Sequence, residues 1–304
     1  MFDLVGVGNP VYDSIITPLS RTSGRVLSGC STNACLAAKK LGMDKVGLVG
    51  CIGPDYESRF KTEMNGFGIE VSVDTSVKGT GGFHLVYDKK GDRTLDVLGV
   101  AGRITAKSFP EEFLQAKFII IGPILGEVDR GLIEYLRSST SSKLFLDPQG
   151  LIRHIGHDNR IVHECDKEEF GKIAQQVDFI KPNEPESRTI TGETDAVLGL
   201  GCLRDMGAAV PIITLAERGS VLLDDEKLLR IPPYSTEAID PTGAGDVYAG
   251  SFITRYSRGG NLEEAATYAS AAASIKIEQV GPGFQLSDAA TMQRVRTIRG
   301  LAAA

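Results

Sequence analysis

The 304-residue chain has no tryptophan, only four histidines and five cysteines, and no run of Lys and Arg. The cysteines (Cys30, Cys35, Cys51, Cys165 and Cys202) are odd in number and never spaced Cys-x-x-Cys. They outline no disulfide framework and fit a reduced, cytoplasmic protein. A net charge of −6 without a basic block argues against a nucleic-acid partner. No apolar run is long enough to cross a bilayer, and Met1-Phe-Asp-Leu-Val-Gly6 lacks the basic start and long apolar stretch of a signal peptide, so no membrane partner is expected. No Gly-x-x-x-x-Gly-Lys-Ser/Thr run occurs, which excludes a P-loop as written. Gly6-Val-Gly8-Asn-Pro-Val11 lacks the third glycine of a dinucleotide fingerprint, so a dehydrogenase reading fails. His154, His157, His163 and Cys165 lie close in sequence, but their spacing matches no zinc-ligand pattern, and the segment reads as a solvated loop leading into a helix.

What is present describes a large α/β body. Hydrophobic residues make up 42% of the chain and charged residues 24%, with ample length for a core. Short apolar runs at Leu4–Gly8, Val46–Gly50, Phe118–Ile121, Leu144–Leu146, Phe179–Ile180 and Val210–Thr214 alternate with helical stretches, which implies parallel strands joined by crossover helices. Helices are read at Asn33–Leu41, Asp55–Phe67, Gly131–Arg137, Leu262–Ile277 and Asp288–Ile298. Two hairpins interrupt the rhythm. One runs through Phe83–Tyr87, a turn at Asp88–Gly91 and Arg93–Leu98; the other pairs Ser220–Leu223 with Leu228–Ile231. The fold class is therefore a doubly wound, mostly parallel sheet flanked by helices, with a small β lid. The body takes 1–12, 29–78 and 104–304, and the lid takes 13–28 and 79–103.

The most specific stretch is Asp240-Pro-Thr-Gly-Ala-Gly-Asp246, which runs straight into a helix. Gly243, Ala244 and Gly245 let amides converge on an anion, and the helix adds the positive end of its dipole. Asp246 stands beside that anion, where a carboxylate has a use if it takes a proton from an attacking hydroxyl. Asp13 lies just past the first strand and can accept hydrogen bonds from substrate hydroxyls or serve as a turn residue. Gly29-Cys-Ser-Thr-Asn33 opens a helix, and the Asn33 amide can donate and accept at once. Lys181-Pro-Asn-Glu-Pro-Glu186 carries oxygen ligands, Asn183 and Glu186, of the kind that holds Mg²⁺ through water. In Asp147-Pro-Gln-Gly-Leu-Ile-Arg153, the guanidinium either meets phosphate or pairs with Asp147.

Taken together, these runs resemble the ribokinase-like, or PfkB-type, carbohydrate kinases, from Leu4 to about Gly281. Asp240–Asp246 is similar to the family's C-terminal signature. Gly29 and Asn33 match its Gly-x-x-x-Asn, Asp13 its substrate aspartate, and Gly50–Asp55 a structural Gly-x-x-Gly-x-Asp element. Asn183 and Glu186 match its Asn-x-x-Glu motif. Thr214-Leu-Ala-Glu217-Arg-Gly219 resembles its nucleotide loop, with Ala216 where the family has glycine. Ser270 and Gly281 fall where the family lines the nucleotide. Asp147–Arg153 is similar to a run in some inositol kinase relatives, and Arg153 is grouped with the substrate residues. The monovalent-cation loop is matched only through Asp240 and Thr242. The segment between Asp13 and Gly29 is shorter than in ribokinase, which trims the lid and argues against a ribokinase-type dimer clasp while leaving a homodimer open.

The resemblance implies ATP as donor, Mg²⁺ as cofactor and a sugar, cyclitol or nucleoside as the small-molecule acceptor. Two rivals accompany the sugar or cyclitol kinase: a nucleoside kinase on the same scaffold, and a sensor that binds nucleotide or sugar without chemistry.

Overall fold

Strands such as Phe118-Ile-Ile-Ile121, apolar at every position, can be buried on both faces only in a sheet covered on both sides. The computed structural model, which describes residues 1–88 and 93–302, has such a sheet. Strands β1 (Leu4–Val7), β2 (Val11–Ile16) and β3 (Val26–Ser28) precede helix α1 (Cys30–Lys40), and β4 (Val46–Ile52), α2 (Glu57–Gly66) and β5 (Glu70–Thr75) follow. The hairpin strands β6 (Gly82–Tyr87) and β7 (Arg93–Gly99) lead to α3 (Glu111–Leu114), β8 (Phe118–Ile121), α4 (Arg130–Ser139) and β9 (Lys143–Leu146). Next come α5 (Gln149–Ile152), β10 (Arg153–Ile155), β11 (Ile161–His163), α6 (Lys167–Ala174), β12 (Phe179–Ile180), α7 (Glu184–Thr191), α8 (Ala196–Asp205) and β13 (Val210–Thr214). The last elements are β14 (Ser220–Asp224), β15 (Lys227–Ile231), α9 (Ala244–Ser257), α10 (Leu262–Ile277) and α11 (Asp288–Ala302). The turn read at Asp88–Gly91 falls mostly on residues outside those described.

The main sheet has nine strands in the order β15-β14-β13-β12-β9-β8-β1-β4-β5. It is parallel from β13 to β5, and β14 and β15 add an antiparallel hairpin at one edge. The edge strand β5 has no counterpart in the sequence reading, because Glu70-Val-Ser-Val-Asp-Thr75 is polar and only partly buried. The chain leaves β1 for β4 on one side and later returns to β8 on the other. The crevice beyond the carboxyl ends of β1 and β8 is thus the place where such sheets take ligands. Glycine lets those ends meet: a Cβ on Gly8 would lie 2.3 Å from the Gly122 carbonyl oxygen.

One face of the sheet packs against α1, α2, α9, α10 and α11, and the other against α3, α4, α6, α7 and α8. An aromatic cluster fixes α9, with ring centroids 5.8 Å apart for Phe145 and Phe252 and 5.6 Å apart for Phe179 and Phe252. On its other side, a Cβ on Gly250 would come within 2.2 Å of the Ala34 carbonyl oxygen, so α9 lies directly on α1.

The lid is a four-stranded sheet, β3-β2-β6-β7. Its β2–β3 and β6–β7 pairs are antiparallel and β2–β6 is parallel. Val11, Ile15, Phe83, Leu85 and Tyr87 give it a core that continues onto Cys30 and Ile124 of the body. At its root, Asp55 Oδ1 accepts hydrogen bonds from Thr80 N at 3.0 Å and Thr80 Oγ1 at 2.7 Å. The histidine-containing segment leads into a helix as expected but is not a loop. Its strands β10 and β11 form an antiparallel ribbon, and α6 begins only at Lys167. The ribbon's tip straps the outer edge of β7: Asn159 Nδ2 donates to Val97 O at 2.8 Å, and Val97 N donates to Asn159 O at 3.1 Å. Among the described residues, His154, His157, His163 and Cys165 form no metal-binding group.

After β13 the chain turns through Ala216, which sits at φ 51°. An L-residue with a Cβ is strained in this left-handed region by on the order of 1 kcal/mol, and glycine is not. Ala216→Gly is expected to raise stability by about 1 kcal/mol, or about 2 °C in melting temperature at this chain length. Unchanged or lower melting in calorimetry would contradict that account.

Candidate active site

The Asp240–Asp246 turn lies against the cleft where the body faces the lid. Gly243 is the N-cap of α9 at φ 78°, and a Cβ there would lie 2.9 Å from Asn33 Nδ2. Glycine is therefore required twice, for conformation and for space. The Ala244 amide is already engaged, donating to Pro241 O at 3.2 Å. Among the described residues, the amides of Gly243, Gly245 and Asp246 have no acceptor. The free donors are thus Gly243, Gly245 and Asp246 instead of the Gly243–Ala244–Gly245 set read from the sequence. They are the unsatisfied first-turn donors that attract an anion.

Asp246 is half-buried on that first turn, and its Oδ2 accepts a hydrogen bond from Asn33 Nδ2 at 2.9 Å. Burial, and then the negative charge of Asp147, push its carboxyl above the usual carboxylate range, against opposing effects of Asn33, Lys181 and Cys30. Asn33, expected to address a substrate, spends one N–H on holding this carboxylate.

Under the turn lies a feature absent from the sequence reading. Lys181 Nζ pairs with Asp147 Oδ2 at 2.8 Å, and both side chains are only 3% exposed. A Cβ on Gly245 would lie 3.4 Å from that ammonium. Burial lowers the Lys181 proton affinity, but Asp147 and Glu186 outweigh it and hold the residue charged. One ligand atom each of Cys30, Asp147 and Asp246 lie within 4.8 Å of one another. This is no soft-metal site, because burial and the two carboxylates keep Cys30 a thiol. The sequence signal was a lysine directly after a buried strand, where an unpaired ammonium is not tolerated.

Asn183 and Glu186 sit at the N-terminus of α7 in a reciprocal capping box. Asn183 Oδ1 accepts from Glu186 N at 2.9 Å, and Glu186 Oε2 accepts from Asn183 N at 2.9 Å. Glu186 is buried, and burial followed by the Asp147 charge raises its pKa. Its Oε1 has no hydrogen bond among the described residues. An all-oxygen set with one free carboxylate oxygen fits a hydrated Mg²⁺. Thr214 lies next to Asn183 through a parallel bridge, and its N donates to Pro182 O at 3.2 Å. Exposed Glu217 and the turn glycine Gly219 complete this loop, which an Arg218–Glu184 ion pair ties to α7. Gly281 N donates to Asp240 Oδ2 at 3.4 Å. Ser270 stands apart, its hydroxyl donating to Pro232 O at 3.1 Å.

On the lid side, Asp13 is 4% exposed, and its Oδ1 accepts from Phe83 N at 2.8 Å. Burial pushes its carboxyl up to about 6, against hydrogen bonds from Ser28 and Phe83 and the charges of Arg25 and Arg153. Gly29, at φ 121°, starts α1 where a Cβ would meet Asn9 O at 2.9 Å. Because Asp147 pairs with Lys181, Arg153 forms no ion pair with it. It is 5% exposed, its Nη1 reaches Ile124 O only at 3.5 Å, and its Nε has no acceptor. Arg93, from the lid, donates to Tyr87 Oη at 3.2 Å, and Thr242 Oγ1 donates to the same oxygen at 3.0 Å. Burial and the nearby Arg93 charge lower the Arg153 pKa. Among the described residues neither arginine forms an ion pair. The Glu186 charge acts favourably on both from a distance, and two neighbouring guanidiniums with no direct carboxylate partner among the described residues suit an anionic ligand.

The pfkB carbohydrate kinase pattern matches residues 11–289. A cytidine kinase of Thermococcus kodakarensis is 31% identical over 274 residues, covering 87% of this chain and 92% of its own length. A nucleoside kinase of Methanothermobacter thermautotrophicus is 25% identical, covering 94% of this chain and 93% of its own. Among solved structures, a pyrophosphate-dependent kinase of the ribokinase family in complex with sulfate superposes with a TM-score of 0.80 at 22% identity, over 92% of this chain and 96% of its own.

Asp13 gives a prediction whose direction follows from its raised pKa. The ionised form is disfavoured in the folded chain, so this residue destabilises the fold above about pH 6. The penalty disappears as pH falls toward the unfolded-chain value near 4. Asp13→Asn is expected to be more stable than the parent at pH 8 by about 2–3 kcal/mol, with the gap closing by about pH 4. Denaturant melts at both pH values measure this. A gap that ignores pH would show that charge burial is not its cause.

Proposed function

The chain belongs to the pfkB family of carbohydrate kinases, and from that premise we propose that it transfers the γ-phosphoryl group of ATP to a hydroxyl of a sugar or cyclitol, with Asp246 as the base. The observation that carries this reading is the position of Asp246: it has a raised pKa, is held by Asn33, and shares a helix turn with amides that have no acceptor.

In this reading the acceptor enters between lid and body. Asp13 and the remaining polar atoms of Asn33 orient its hydroxyls, and the backbone at Gly29 stays low enough to admit it. One hydroxyl faces Asp246, which takes the proton as that oxygen attacks the γ-phosphorus. A carboxylate with a raised pKa is a better base than an ordinary aspartate. The amides of Gly243, Gly245 and Asp246, with the Ala244 peptide fixing their turn, stabilise charge developing on the transferred group. Arg153 and Arg93 meet the same charge from the lid side. The donor lies along Thr214, Glu217 and Gly219, toward Gly281 and the Ser270 helix. Asn183 and Glu186 would hold Mg²⁺ through water, and the ion would screen the phosphate oxygens when bound. The contact from Tyr87 to Thr242 lets the lid close on the turn and keep water, a competing acceptor, away.

The two relatives described above act on nucleosides by name, and this favours a second reading in which the acceptor is a nucleoside. A panel of inositols, hexoses, ribose and nucleosides, with ADP release as readout, separates the two. ATP binding without ADP release across the panel would favour a sensor. For the base, Asp246→Asn should lower kcat by roughly 10²–10⁴ with the fold intact. Near-normal turnover in a folded variant would remove Asp246 from that role.

A further inference from the structure

At the start of the proposed phosphoryl-binding turn a second ammonium is buried beside Asp240. Lys276 lies in the last turn of α10 and is 3% exposed. Its Nζ is 3.1 Å from Gln279 O, 3.5 Å from Asp240 O and 3.8 Å from Asp240 Oδ2. Asp240 is fully buried. Its Oδ1 accepts from Thr242 N at 3.0 Å and its Oδ2 from Gly281 N at 3.4 Å. The amides of Ile239 and Asp240 both donate to Ile277 O, at 2.7 and 3.0 Å. One carboxylate thus ties together the start of the turn, the end of α10 and the loop at Gly281.

A carboxylate at this depth needs a positive charge beside it. Carbonyl oxygens at a helix C-terminus next to a carboxylate make a cage for a small cation. The cage could draw that cation from the medium, but the chain supplies its own. We propose that Lys276 is a positioning residue whose ammonium acts as a tethered monovalent cation for the turn that receives the phosphoryl group, so that turnover needs no potassium or sodium from the medium. The inference rests on the reading of that turn given above. Lys276 touches no reacting atom. It holds Asp240, Asp240 holds Thr242 N, and the peptide after Thr242 presents the first free amide.

The test uses the full chain. Wild-type turnover, assayed in potassium, sodium or tetramethylammonium chloride at one ionic strength, is expected to be the same in all three. Lys276→Met, which keeps the stem and removes the charge, is expected to lose roughly 10- to 100-fold in kcat, with a smaller change in acceptor KM. Ammonium or potassium chloride should restore the variant saturably, and tetramethylammonium, too large for the cage, should not. The melting temperature of the variant should rise with the same ions in the same order, which needs no catalysis. Three results would overturn the proposal: wild-type turnover that climbs saturably with potassium, a folded variant with wild-type turnover, or a folded variant whose losses ignore ammonium. If Lys276→Met does not fold, Lys276→Gln and the wild-type salt series decide in its place. Absence of ADP release from the wild type with every acceptor would defeat the kinase reading alone, and the melting series would still judge the cation.

Discussion

Three carboxylates, Asp147, Glu186 and Asp246, lie within electrostatic reach of the buried Lys181 ammonium, which pairs directly with Asp147, while Arg153 and Arg93 act on the group without forming ion pairs among the described residues. The ammonium is the one cation in this group that forms an ion pair among the described residues, and its charge is shared. The pair with Asp147 takes most of it. Glu186 and Asp246 are left with raised proton affinities, and each is tied down by hydrogen bonds: Glu186 by the amide of Asn183, Asp246 by the side chain of Asn33. A divalent cation would relieve the repulsion between Glu186 and Asp147 on one side. On the other, burial and the Asp147 charge raise the proton affinity of Asp246, the property that the proposed base needs.

Such an arrangement is costly, and the scaffold has to hold it in place. Glycine permits the approach of α9 to α1 at Gly250 and of β1 to β8 at Gly8, and the aromatic cluster around Phe252 fixes α9 against the sheet. Asn33 and Asp246 are 213 residues apart in sequence, yet their bond follows directly from that helix contact. A Cβ at Gly243 would push Asn33 away, so the residue that shapes the turn also sets the distance between Asn33 and Asp246.

Much of the site was legible because its chemistry is local. Asp240–Asp246 announces its turn, its helix and its carboxylate in consecutive residues, and Asn183 with Glu186 announces a helix start. The parallel body was legible because strands buried on both faces, such as β8, leave unbroken apolar runs. Pairings across the sheet were not. Nothing near Asp147 shows that its partner is Lys181 instead of Arg153; that choice depends on β9 and β12 being neighbours. The engaged amide of Ala244 was hidden for a similar reason, since composition gives the flexibility of a turn but not the direction of each N–H. The ribbon β10–β11 does leave a local signal: Asp158-Asn159 lies between two short β-prone runs, and Asn159 takes the left-handed conformation that asparagine tolerates.

The ribbon also explains why the lid can be small. A sheet with one strand of only three residues, β3, has little core of its own, and its outer strand β7 would otherwise expose unpaired edge groups. The tip at Asn159 and Arg160 covers part of that edge through backbone bonds and an Asp96–Arg160 ion pair. The same ribbon begins with Arg153, and the strand it covers begins with Arg93. Bracing the lid and bringing the two unpaired guanidiniums together are therefore one structural event. The Glu186 charge acts favourably on both guanidiniums, and neither forms an ion pair among the described residues, so both stay available to an anion in the proposed reading.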